Sequence, residues 1–237
     1  MTISDSAGAL KTADLKLAMA ASGTVFSAFT VAHMAGNLQV YLGRDRFDGY
    51  ARFLRTMGVP VLPESTVLWV FRSGLLACAV THVSCASLLT VRAWRAGDRP
   101  AGGVRRSRPR GRRRRVWEIA KRSMRSTGVV LGLFTAHHIA DLTLGVRPAA
   151  TEHAKGAAYD NLVRSLQRPQ VAGLYLAAML ALAAHTSQGI VQVGNDTGLS
   201  GDRRVREALS IAGRVIGTGV ALGNASIPLA VQTRLVR

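Results

Sequence analysis

Five apolar stretches set the terms for this chain of 237 residues. They run roughly over residues 17–36, 66–91, 127–145, 171–193 and 209–232. A helical crossing of a bilayer needs about 20 apolar residues. In lipid, each backbone polar group must be satisfied within the protein, which a helix does by itself. The expected fold is therefore an all-α integral membrane bundle of five transmembrane helices in one domain, 1–237. The third stretch is the shortest, and the fifth is interrupted by Arg214 and Pro228. The opening residues, MTISDSAGALKTADLK, lack the cationic region, short apolar core and small-residue cleavage site of a signal peptide. The first stretch is thus expected to remain as a helix.

A net charge of +18 invites a nucleic-acid reading, but its distribution argues otherwise. Residues 92–125 hold 14 Lys or Arg against Asp98 and Glu118, a surplus of 12. Loops that stay in the cytoplasm are basic. Such a loop also suits anionic membrane lipid. Aromatic residues for base stacking are limited there to Trp94 and Trp117, so no nucleic-acid partner is expected. A cytoplasmic loop at 92–125 places the N-terminus in the cytoplasm and the C-terminus outside a bacterial plasma membrane. In the loop 38–65, Phe47, Tyr50, Phe53, Leu54 and Met57 recur at helical spacing with arginines between them. That pattern predicts a short surface helix. Trp69 and Trp117 fall where interfacial aromatics are expected. No repeat stands out along the linear sequence.

Four of the five stretches carry a histidine among apolar residues: His33, His82, His138 (beside His137) and His185. Titratable side chains inside a membrane are costly and usually functional. Imidazole is a common axial ligand of haem iron. Helix rise gives their depth. His33 lies about 24 Å from the inner end of its helix, and His82 about 24 Å from the outer end of its own. His138 lies about 17 Å from the inner end, and His185 about 21 Å from the outer end. In a hydrocarbon core about 30 Å thick these fall into two layers. His33 and His138 share the outer layer; His82 and His185 share the inner one. Each layer offers two imidazoles from different helices, which is what a six-coordinate haem iron takes from a protein. Small residues flank them, among them Ala32, Gly36, Ala79, Gly132 and Ala181. Arg72, near the depth of His33, needs an anion such as a haem propionate. Geometry along the helix does not choose between His137 and His138.

With these motifs in view, the chain resembles the cytochrome b membrane subunit of succinate dehydrogenase/fumarate reductase, in the single-subunit, five-helix, di-haem form of Gram-positive, actinobacterial type. The similarity runs through AHMAGNLQVYLG at His33, FDGYARFLRTMGVPVLPESTVLWVFR before His82, HHIADLTLG, and AYDNLVRSLQRPQVAGLYLAAMLALAAHTSQGI around His185. It is colinear over about residues 17–232. The resemblance implies a non-catalytic anchor and electron-transfer subunit of respiratory complex II. Its partners are flavoprotein and iron–sulphur subunits on the cytoplasmic face. Electrons from those subunits pass to a quinone, commonly menaquinone. The first four helices form the cofactor-binding bundle, with two haem b groups. His33 and His138 hold the distal iron, and His82 and His185 the proximal one. The family motif selects His138 over His137. Asn37, Arg72 and Asp141 fall near a quinone at the outer layer. Two departures stand out: Asp141 replaces a second histidine of many relatives, and no intramembrane Glu occupies segments two or four. Some relatives replace haem with a membrane iron–sulphur centre. Cys78, His82 and Cys85 share one helix face, and with His185 they make the two-cysteine, two-histidine ligand set of a [2Fe-2S] cluster. A further reading of the histidines is a non-redox scaffold or transporter.

Overall fold

The protein is described here from a computed structural model that covers residues 10–96 and 123–237. Most of the basic loop, and Trp117 with it, lies outside the described residues. The helices are α1 (Thr12–Asn37), which continues as a 3-10 turn to Leu42, α2 (Arg44–Thr56), α3 (Thr66–Arg95), α4 (Met124–His138), which continues as a π-helical turn to Leu144, α5 (Ala158–Gln167), α6 (Pro169–Asp196) and α7 (Arg203–Gln232). Five of them, α1, α3, α4, α6 and α7, are long and apolar enough to cross a membrane. The chain is an all-α, multi-pass membrane bundle, and no strand occurs among the described residues. α3 runs past its apolar stretch through Arg92 and Arg95, because arginine is a good helix former. Pro169 opens α6 at its first position, where the missing N–H has no helical partner to lose. Asp202 caps α7 by accepting from the backbone N–H groups of Arg204 (2.6 Å) and Val205 (3.1 Å).

α1 packs on α3 and on α6, α4 packs on α6, and α7 lies along α6 and touches α1. α1 and α4, α3 and α6, and α3 and α4 do not pack closely on each other. With the helices in the order α3–α1–α6–α4, the pairs α1–α4 and α3–α6 stand diagonally across the bundle, where their histidines meet. Small residues bring α6 and α7 together. A Cβ on Gly213 would stand 2.5 Å from the Ser187 carbonyl oxygen, and one on Gly217 would stand 2.8 Å from that of Ala183. Helices that meet in lipid need such close approach. Only 6% of the apolar window is buried in α3 and in α4, against 39% in α6 and in α7. α3 and α4 are thus the most exposed of the five crossings.

One end of the bundle is charged. Lys16 pairs with Asp196 (3.7 Å), and Arg92 donates to the Leu10 carbonyl (2.7 Å) and to Thr12 (3.0 Å). α2 and α5 cap the other end. Arg44 pairs with Asp160, Asp48 accepts from the Tyr159 N–H (2.8 Å), and Phe47 meets the Tyr159 ring edge-on. The best-buried apolar cluster lies here, with Val40, Tyr159, Leu162, Leu166, Ile227 and Val231. The helix expected in the loop 38–65 is α2. α5 was not expected; its apolar face shows in only ten residues, too few for periodicity to separate it from a loop.

The packing reveals a repeat that inspection of the linear sequence misses. Residues 19–35 and 124–140 align without gaps, identical at seven of 17 positions: Met, Gly, Val, Phe, Thr, His and Ala. The caps align too, Phe47-Asp48 with Arg52 and Leu54 against Tyr159-Asp160 with Arg164 and Leu166. Three pairs of counterparts touch each other: Phe47 with Tyr159, His33 with His138, and His82 with His185. α1–α2–α3 and α4–α5–α6 share one order, a long helix, a short capping helix and a long helix, and α1 resembles α4 in sequence.

Candidate functional site

Each diagonal of the bundle is bridged by one histidine pair. Toward the capped end, the rings of His33 on α1 and His138 on α4 have centres 5.9 Å apart, with planes at 87°. Toward the charged end, His82 on α3 and His185 on α6 are 6.4 Å apart, at 64°. The structure thus brings together the two pairs expected from depth and keeps them at separate levels. Ser22, which touches His82, lies eleven residues before His33 on α1; Thr127, which touches His185, lies eleven before His138 on α4. That spacing separates the levels by about 16 Å on both helices.

The rings are held from outside the pairs. In the capped-end pair, each histidine meets the phenylalanine one turn earlier: His33 stacks on Phe29 (5.2 Å), and His138 lies tilted against Phe134 (5.8 Å). His138 Nδ1 lies 3.0 Å from the Tyr175 hydroxyl. In the charged-end pair, His82 Nδ1 lies 3.2 Å from both the Met19 carbonyl and Ser22 Oγ. A carbonyl only accepts, so Nδ1 carries the proton. The Ser22 hydroxyl donates to Ala18 O (2.8 Å) and Met19 O (3.1 Å), which leaves its oxygen as an acceptor for His82. His185 follows the same logic. Its Nδ1 lies 3.1 Å from Thr127 Oγ1, whose hydrogen goes to Ser123 O (2.9 Å) or Met124 O (3.1 Å). Both rings therefore have the proton on Nδ1 and the lone pair on Nε2. Neither Nε2 has a hydrogen-bond partner among the described residues.

That is the state in which histidine binds a metal, with its other nitrogen donating to an oxygen. Two imidazoles on one metal at about 2.0–2.1 Å each stand roughly 6.3 Å apart between ring centres. The two observed separations, 5.9 and 6.4 Å, lie close to that value. Among the described residues no three His, Cys, Asp or Glu side chains gather as a metal site. Pairs are what haem requires, because the macrocycle supplies the remaining four nitrogens. Cys85 is buried and Cys78 half-buried, both as free thiols, and with His82 and His185 they do not assemble as one group.

The other expected residues do not converge. Asn37 donates to Asn224 (3.0 Å) and ties α1 to α7. Arg72 is exposed, with its guanidinium over the Trp69 ring at 5.1 Å. Asp141 is buried in an ion pair with Arg168 (3.1 Å), accepts from Ser165, and lies 3.9 Å from His137 Nε2. This network anchors the π-helical turn after His138 to α5 and α6. Gly145, in the left-handed region at φ +64°, ends that turn, and a Cβ there would meet the His153 ring at 2.5 Å. Sequence reasoning missed Ser22, Thr127 and Tyr175. The signal for Ser22 and Thr127 was present as a Ser-Gly and a Thr-Gly, each with its glycine ten residues before an intramembrane histidine. No family model, no curated protein and no solved structure matches this chain.

Proposed function

We propose that this chain is the membrane-anchor cytochrome b subunit of a succinate:quinone oxidoreductase. It would hold two haem b groups and carry electrons from a cytoplasmic iron–sulphur subunit to a membrane quinone. The observation that carries this reading is the placement of two histidine pairs on the two diagonals of one bundle, at two levels and at bis-imidazole spacing. Haem supplies reversible one-electron chemistry. The protein supplies the rest: His33 with His138 and His82 with His185 as axial ligands, Phe29 and Phe134 as aromatic supports, and an apolar bundle that keeps water from the irons. The charged end is the side for the flavoprotein and iron–sulphur partners. With the basic loop in the cytoplasm, the N-terminus is cytoplasmic and the C-terminus outside.

The experiment is an optical spectrum of the dithionite-reduced, purified protein with its partners. Two b-type haems per chain are expected. A haem-free preparation with a Rieske-type EPR signal would replace this reading by the [2Fe-2S] alternative. A colourless protein without a flavoprotein partner would replace it by a scaffold or transporter.

A further inference from the structure

From the repeated geometry around the charged-end pair we infer that Ser22-Gly23 and Thr127-Gly128 are positioning elements for the charged-end iron, one from α1 and one from α4. The inference rests on the haem reading above and adds residues that no family motif picked out. The support recurs at matched positions. Ser22 and Thr127 supply a hydroxyl oxygen whose own hydrogen is directed to the backbone. At His82, Met19 also supplies a carbonyl to Nδ1. Gly23 and Gly128 follow these hydroxyls and face the same rings; a Cβ on Gly23 would crowd His82 Cε1 at 3.2 Å, while one on Gly128 would meet His185 Cε1 at an ordinary 3.4 Å.

The arrangement is crosswise. α1 orients a histidine of α3, and α4 orients a histidine of α6, so neither ligand is held by its own helix. In each case the same helix also carries its own ligand, ten residues past that glycine, at the other level. One helix therefore sets the orientation of one iron's ligand and ligates the other iron itself. At the capped end this support is not repeated: His138 meets Tyr175, while Phe29 supports His33 by stacking. The two levels consequently differ in how their ligands are polarised. At the charged end both Nδ1–H groups donate to oxygen, which makes both imidazoles stronger donors to a metal.

The test uses the purified complex with Ser22→Ala, Thr127→Val, the double variant, and Thr127→Ser as the conservative control. The readouts are haem per chain during challenge with a haem-scavenging apoprotein, the midpoint potential of each haem, and the low-spin ferric EPR signal. Each single variant removes the hydroxyl acceptor at one ligand. Loss of such a partner lowers metal affinity by about 10- to 100-fold. One haem should become about tenfold easier to extract in each single variant, and more so in the double. Its potential should rise, because a weaker imidazole donor favours the ferrous ion. A tenfold change in ferric over ferrous binding corresponds to about 59 mV for one electron. Thr127→Ser, which keeps the oxygen, should retain the wild-type potential and EPR signal, and so separates orientation from simple damage to packing. The haem at the capped end is the internal control. If wild-type protein holds two haems and neither single variant moves retention, potential or EPR signal, the inference is wrong while the haem reading stands. If wild-type protein holds no haem, the reading itself falls.

Discussion

Replacing the histidines one at a time tests the pairing directly. Partners stand 5.9 Å and 6.4 Å apart between ring centres. The levels are separated by about 16 Å along both α1 and α4. A metal–imidazole bond is about 2 Å long, so a ring at one level cannot serve an iron at the other. Haem content should therefore fall in a fixed pattern. His33→Ala and His138→Ala should each remove the same haem, leaving one of two per chain, and the double variant should lose no more. His82→Ala and His185→Ala should remove the other haem. A variant from each pair, combined, should empty both sites. Haem per chain, measured as the pyridine complex, gives the count, and the reduced α-band and potential identify which haem remains. Loss of different haems in His33→Ala and His138→Ala would refute the diagonal pairing. Unchanged haem content in His82→Ala would refute that ligand outright.

Three further outcomes follow from the packing, each read by thermal unfolding in detergent. Gly213→Val should destabilise the α6–α7 contact by about 1–3 kcal/mol, because its Cβ is forced onto the Ser187 backbone oxygen. Ser187→Ala should not relieve it; relief would show that the obstruction is not backbone. Asp141→Ala should cost about 3 kcal/mol by stranding Arg168, and Asp141→Ala with Arg168→Leu should recover part of that. Equal loss in the single and double variants would mean that the ion pair does not hold the turn after His138. Asn224→Leu should cost only about 0.6 kcal/mol, the usual scale for a side-chain hydrogen bond between membrane helices. A loss as large as that of Asp141→Ala would mean that the Asn37–Asn224 contact is a principal tie between α1 and α7.

Much of the site was legible because a membrane helix is a ruler. A rise of about 1.5 Å per residue converts position in an apolar stretch into depth, so His33, His82, His138 and His185 sort into levels without coordinates. His137 and His138 show the limit. Adjacent residues share a depth, and only the rotation of α4 shows that His138 meets His33 while His137 turns toward Asp141. Asn37, Arg72 and Asp141 show a second limit. Residues at similar depths on different helices need not face one another, and each of these three has its own partner. α5 was hidden because ten residues give barely three turns of pattern.

The amino-acid sequence determined what depends on distance along one helix: five crossings, their lengths, the depth of each histidine, and the charged loop between the second and third crossings. Tertiary structure decided what depends on which helix faces which. It placed the histidine pairs on the bundle diagonals and moved α7 to the flank. It also gave Ser22 and Thr127 their role. A hydroxyl next to a glycine is ordinary along a membrane helix, and acquires meaning only when packing puts a histidine of another helix against it.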